Sequence, residues 1–258
     1  MTSSIEILQS VTTGTITTML LKKGIRRSWM TGAMPFGFSG KRVVGPAFTL
    51  RFVPVREDLA TPESWSKPIS TRGAIEAMPE NCVVVADAMG VAGAGIFGDI
   101  LCMRMVKRSV AALVTDGVMR DKHGVLGTGL PVWCAGVAAP ASVNLLTFVG
   151  WNEPIGCGGC AIFPDDIIVA DDDGAVVIPK DIVDLCAWMA SAPVFRAFEV
   201  ALPDAAACRL CFTLGGWITT IVDREVDRIT FTHHRLAKVG YIARRTDSER
   251  AAVTIAPT

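Results

Sequence analysis

The rhythm of apolar and polar positions changes several times along this chain, and each change marks an element. The amphipathic opening "SSIEILQSVTTGTITTMLLKKG" predicts one or two short helices that stop at Gly24. "RVVGPAFTLRFVP" has the β-branched and aromatic character of a strand or hairpin. The polar "REDLATPESWSKPISTRG" reads as a loop leading into a short helix around "GAIEAMPEN". The clearest unit follows: "CVVVAD" as a buried strand, "AMGVAGAGIFG" as a glycine-rich loop, "DILCMRMVKRS" as a helix and "VAALVTDG" as a second buried strand. That order predicts a βαβ unit with parallel strands. Farther on, "DDIIVADDDGAVVIP" predicts two strands around an Asp-Gly turn, so Asp171, Asp172 and Asp173 read as hairpin polarity rather than a cation site. "KDIVDLCAWMA" predicts a helix. Beyond Pro193 the pattern weakens into a polar, basic run that reads as a loosely packed tail. The division expected is therefore residues 1–192 and 193–258.

With 258 residues, half of them apolar, the chain can bury the core of one large α/β domain, with room for a terminal module. Its 25 basic and 25 acidic side chains cancel, leaving no electrostatic footprint for nucleic acid or an anionic membrane. Small molecules and protein neighbours are the expected partners. The uncharged stretch from Gly124 to Asn152 holds Pro131, Pro140 and five glycines, which predicts buried strands and turns rather than a lipid-facing helix. The opening lacks a basic segment followed by a clean apolar one, so no signal peptide is read and a soluble, cytoplasmic protein is expected. Eight cysteines in a chain of this size suggest reduced thiols used as small hydrophobes. Two C-x-x-C pairs, Cys157/Cys160 and Cys208/Cys211, could together form a zinc site. Their separation far exceeds the ribbon spacing of roughly 15–20 residues, and Gly158-Gly159 as a tight turn is the alternative.

Candidate chemistry concentrates in the βαβ unit. Gly93, Gly95 and Gly98 spell G-x-G-x-x-G between a strand and a helix, the pattern of a nucleotide-binding oxidoreductase. Six residues, Asp87 to Ala92, separate the strand from Gly93, whereas the dinucleotide turn begins where its strand ends. The same loop also suits a smaller anion. Backbone N–H groups at Gly98, Asp99, Ile100 and Leu101 open a helix, where unpaired donors and the helix dipole attract a carboxylate. The next strand then delivers Arg120 and Asp121 just past its end, where ligands sit in parallel α/β units. Asp116 reads as part of the turn, His123 as an exposed loop histidine, and Lys107 and Lys122 as solvated charges.

Asp99, twenty residues, then Arg120-Asp121 resembles the D-x20-R-D pattern of the RraA-like family, which includes class II 4-hydroxy-4-methyl-2-oxoglutarate/4-carboxy-4-hydroxy-2-oxoadipate aldolases. "VVGPAFTL", "AIEAMPENCVVVADAMG", "VTDGVMRD" and "PIGCGGCAIFPDDIIVADDDGAVVIP" agree with it, over roughly residues 14 to 190. The resemblance implies an α/β fold like the swivelling β/β/α phosphohistidine domain, with a mixed β core and flanking helices, assembled as a homotrimer or homohexamer. It also implies a pyruvate-releasing lyase using Mg²⁺ or Mn²⁺ and acting on a small 2-oxo acid, with oxaloacetate decarboxylation as a shared enolate reaction. By resemblance Asp121 holds the metal and Arg120 grips the substrate. The amides of Gly98, Asp99, Ile100 and Leu101 cradle the pyruvyl carboxylate, and Asp99 orients a water for proton transfer. The remote half of the substrate would be read by loops such as residues 56–72.

The family also contains a protein regulator of ribonuclease E, so a non-catalytic binding role stays open beside the lyase. From about Ala192 the chain departs from the charged helix expected of the family. "ACRLCFTLGGWITTIVDREVDRITFTHHRLAKV" reads as a divergent extension or a shifted reading frame. Glu199 could reach a neighbouring subunit's site, and nothing in the sequence decides it.

Overall fold

Short runs of buried β-branched residues become strands, and the amphipathic stretches between them become the helices that cover the sheet. The computed structural model describes residues 4–37, 40–191, 209–213 and 217–222. Two small helices open it, α1 (Ser4–Leu8) and α2 (Thr13–Lys22), the second capped by the Thr12 side chain. Then come β1 (Met34–Pro35), β2 (Val43–Pro54), α3 (Thr71–Ala77), β3 (Val83–Asp87), α4 (Asp99–Lys107) and β4 (Ala112–Thr115). These are followed by β5 (Val118–Met119), α5 (Lys122–Gly127), β6 (Val132–Cys134), β7 (Gly136–Val137) and β8 (Leu146–Trp151). The hairpin β9 (Ile167–Asp171) and β10 (Gly174–Ile178) leads to α6 (Val183–Ser191).

The main sheet is mixed and runs β1-β6-β4-β3-β2-β9-β10, with β8 also pairing β2. Strands β2, β3, β4 and β6 are parallel, as the βαβ pattern predicts, while β8, β9 and β1 join antiparallel. The free edge of β10 is covered by residues 28–30, whose Met30 N–H bonds Ala175 O at 2.9 Å. The sheet is thus nearly closed into a barrel, with helices outside it, in an α/β architecture. One apolar cluster fills the barrel around Met30, Val83, Val114, Trp133 and Ile168; a second lies under α3 and α4 around Phe52, Ile75, Phe97 and Met105. Among the described residues no helix is long and apolar enough to cross a membrane.

One expectation is resolved and two shift. "RVVGPAFTLRFVP" is one long strand and not a hairpin, because Pro46 sits where β2 hands over from β9 to β3 and its missing N–H breaks no ladder. Helix α3 starts at Thr71, two residues early, because Ser70 Oγ accepts the Gly73 amide at 3.1 Å and caps it. His123 lies in α5, exposed as expected but helical.

Residues 1–190 and 191–258 separate as two compact units. In the second, β11 (Arg209–Thr213) and β12 (Trp217–Val222) pair antiparallel. Glu199, Cys208 and the basic tail lie outside the described residues.

Candidate active site

The candidate site exists because a loop pairs with a strand. Gly95 bridges Val118 in parallel, the Ile96 amide donates to Val118 O at 2.9 Å, and the Arg120 amide donates to Phe97 O at 2.8 Å. Buried Ile96 and Phe97 anchor the loop in the core. On its other side Gly95 N donates to Pro140 O, and Ala138 N to Met119 O, both at 2.9 Å. Three segments are knitted together, and their register sets Gly98-Asp99 against Arg120-Asp121.

The glycines make that approach possible. A Cβ on Gly95 would stand 2.8 Å from the Met119 carbonyl carbon and would overlap the Arg120 side chain. One on Gly98 would overlap Asp121 Oδ2, and one on Gly124 would lie 2.7 Å from Asp99 Oδ2. The space beside Gly93 is taken by Leu145. The bare faces of the G-x-G-x-x-G stretch are therefore filled by this chain's own side chains, which leaves the dinucleotide reading without the open backbone it needs.

Asp121 is the N-cap residue of α5, with φ 50° and ψ 49°. A non-glycine residue in this left-handed region costs about 1–2 kcal/mol, least for Asp and Asn. Its carboxylate is exposed and makes no ion pair among the described residues. Arg120 is half-buried, and its Nε is buried without a partner. A buried guanidinium nitrogen left unpaired is costly, which is the condition of a donor held ready for an anion.

Helix α4 opens at the N-cap Gly98, which brings no side-chain cap. Asp99 Oδ1 accepts the Ile100 amide at 2.7 Å, so the fourfold amide cradle expected from sequence is reduced here to Gly98, Asp99 and Leu101. All four residues line one open cleft of about 630 Å³, together with Arg120 and Asp121. The opposite wall carries Trp65, Thr71, Arg72 and Glu76, with Arg104 and Lys107 farther along α4. Four cations face three acids there, and Arg104 and Glu76 neutralise each other in a two-pronged bond at 2.6 Å. Sequence reading missed Arg72 and Trp65 as individuals, because only the packing of α3 on α4 brings them to the cleft.

The other candidates turn out to hold the fold. Asp116 is buried; its Oδ1 accepts the Ala88 amide at 2.9 Å and its Oδ2 the Gly158 amide at 3.1 Å. Burial pushes its carboxyl above the ordinary value, while those two amide bonds pull the other way. Asp171 accepts from Thr13 N at 2.9 Å and Thr13 Oγ1 at 2.6 Å, and Asp172 accepts from Gly40 N. Gly158 and Gly159 form the tight turn, at φ 57° and 79°. The flanking thiols point to carbonyls, Cys157 to Ala86 and Cys160 to Trp29, and burial raises both above the usual thiol range. Protonated thiols engaged in this way are poor zinc ligands. Among the described residues no three His, Cys, Asp or Glu side chains cluster to hold a metal. A hard divalent cation such as Mg²⁺ needs less, since one or two carboxylates and several waters suffice. The exposed Asp121 carboxylate, with Asp99 nearby, fits that requirement.

The sequence model of a family described as "RraA-like: Aldolase/RraA" matches residues 9–177. A Halalkalibacterium halodurans protein named "Putative 4-hydroxy-4-methyl-2-oxoglutarate aldolase" is 36% identical over 140 residues, 54% of this chain and 60% of that protein. Protein DlpA of Legionella pneumophila is 30% identical over 142 residues, 55% of this chain but 22% of DlpA. The chain thus matches less than two thirds of the length of either curated relative. Among solved structures, Streptomyces coelicolor RraAS2, described as an unusual member of the RNase ES inhibitor RraA protein family, superposes with a TM-score of 0.65 at 34% identity. That match covers 72% of this chain and 89% of the other.

Proposed function

This chain belongs to the RraA-like family, and from that premise we propose that it is a divalent-metal-dependent lyase. It cleaves a carbon–carbon bond of a 2-oxo acid and releases pyruvate, with 4-hydroxy-4-methyl-2-oxoglutarate as the aldol substrate and oxaloacetate as a decarboxylation substrate. One observation carries the reading: the start of α4, Arg120 and Asp121 line a single cleft in a register fixed by the ladder between residues 95–97 and 118–120. The relative named as an aldolase supports it.

In this scheme the amides of Gly98, Asp99 and Leu101 hold the substrate carboxylate, helped by the positive end of the helix dipole. The Arg120 fork, with its buried Nε unsatisfied, grips an adjacent oxygen and fixes the plane of the 2-oxo acid. Asp121 holds Mg²⁺ or Mn²⁺. When bound, that cation supplies stabilisation for the negative charge that develops on the 2-oxo oxygen as the bond breaks. Asp99 is placed by its bond to the Ile100 amide and holds a water that takes the C4 hydroxyl proton as the aldol bond breaks and then returns a proton to the pyruvyl carbon. A Schiff-base lysine is not needed, and Lys107 is exposed two turns along α4 from the amides. Assembly as a trimer or hexamer belongs to the same proposal, and sedimentation of the purified protein tests it.

A lactate dehydrogenase-coupled assay of both substrates decides the matter. Pyruvate formation should require Mg²⁺ or Mn²⁺, stop with EDTA and fail in Asp121→Asn. Turnover that survives both treatments would overturn the mechanism. The likeness to RraAS2 favours a second reading, a protein-binding regulator of ribonuclease E activity. Inhibition of ribonuclease E by a protein that yields no pyruvate from any 2-oxo acid would establish that role instead.

A further inference from the structure

The cleft has two walls, and the lyase reading uses only one of them. Two contacts set the direction of the second. Arg104 on α4 holds Glu76 of α3 at 2.6 Å, and farther along Arg108 donates to Met78 O at 3.0 Å. Both partners advance together, so α3 and α4 run in the same direction. One turn back from Glu76 along α3 stands Arg72, and one turn back from Arg104 along α4 stands Ile100. Arg72 is therefore carried at the level of the α4 amides, on the facing wall, and it lines the same cleft.

Arg72 is also an uncommitted charge. The acid one turn away, Glu76, is engaged on both oxygens by Arg104. Among the described residues Arg72 forms no ion pair. Its guanidinium sits 6.0 Å from the centre of the Trp65 ring, a cation–π placement that steers the fork while leaving its donors open. Packed helices lie roughly 8–10 Å apart. A four- or five-carbon acid anchored on α4 and an arginine side chain reaching from α3 together bridge that gap.

We propose that Arg72, steered by Trp65, is the specificity-determining residue that receives an anionic group at the far end of the substrate, so that the cleft selects 2-oxo diacids over 2-oxo monoacids. The assignment rests on the lyase reading, because that reading places the near carboxylate on α4.

The test compares 4-hydroxy-4-methyl-2-oxoglutarate with 4-hydroxy-2-oxopentanoate, whose far end is neutral. Arg72→Ala should lower the diacid-to-monoacid ratio of kcat/KM at least tenfold, mainly through KM for the diacid. Arg72→Lys should recover part of it, and Arg26→Ala, an exposed cation outside the cleft, should leave the ratio unchanged. A readout independent of turnover is calorimetric titration of 2-oxoglutarate and pyruvate with Mg²⁺ present, in which Arg72→Ala should lose the preference for the diacid. A native protein that binds neither acid and yields no pyruvate removes the lyase reading, and this assignment with it. One that binds and cleaves, but whose preference survives Arg72→Ala, overturns the Arg72 assignment alone.

Discussion

Asp116 follows β4 and Asp121, five residues on, comes after β5, and their surroundings are opposite. Asp116 is buried and both its oxygens are taken by backbone amides, from the loop after β3 and from the Gly158 turn. Asp121 is exposed, stands in left-handed backbone and pairs with no cation among the described residues. The first carboxylate is spent on holding three loops together. The second is kept in a strained position with its oxygens available, and strain of that kind clusters where ligands are handled. Chemical type and distance along the chain are nearly the same for the two acids; what divides their roles is whether the fold has already satisfied them.

Substitutions can break this contrast in either direction. The largest effect is expected from Asp121→Asn, which keeps the shape and the tolerance for left-handed backbone but removes the charge. Pyruvate release should fall by about a thousandfold, roughly 4 kcal/mol of barrier, while the thermal midpoint stays in place. Gly98→Ala comes next, because its methyl group would overlap Asp121 Oδ2. Displacing a reacting group by about 1 Å can cost on the order of a hundredfold in rate, and overpacking adds roughly 1–3 kcal/mol of instability. Asp116→Ala should show the mirror image, with about 2–4 kcal/mol lost in urea unfolding as two amides are orphaned. The protein that remains folded should keep most of its turnover.

The smallest effect is a dependence on pH. Burial raises the Asp116 carboxyl in the folded state, so the native protein binds its proton more tightly than the unfolded chain does. This group's contribution to stability is complete below the unfolded carboxylate range and is lost as pH rises through the raised folded value. Unfolding free energies measured across mildly acidic pH should fall with that slope in the native protein and lose it in Asp116→Asn. An unchanged slope would assign the titration to another carboxyl.

Local pattern carried much of the fold. Val83–Val85 and Leu113–Val114 are short apolar runs around an amphipathic helix, and such a unit has few ways to bury itself. The Asp-Gly turn of the β9–β10 hairpin and the helix stop at Gly24 are likewise set by residues beside them in the chain. The strand or hairpin ambiguity at Gly45-Pro46 could not be resolved locally, because it depends on which neighbour β2 pairs with on each side. At the site, Gly98, Asp99, Arg120 and Asp121 stood out through their joint spacing. Their convergence depends on the pairing of residues 95–97 with 118–120, a contact between a loop and a strand that leaves no periodic trace. Arg72 was less visible still. It looks like any polar residue before a helix, and only the shared direction of α3 and α4 turns it toward the cleft.

The ladder through Gly95, Ile96 and Arg120 also bears on how such a catalyst could be retargeted. It welds one wall of the cleft to the barrel, so alterations there disturb reaction and architecture at once. The facing wall, from Trp65 to Glu76, rests on one short helix that buries Thr71, Ala74 and Ile75 and leaves its ion pair and Arg72 exposed. Grafting a different segment there would exchange the appetite of the protein while leaving its cutting edge as it was.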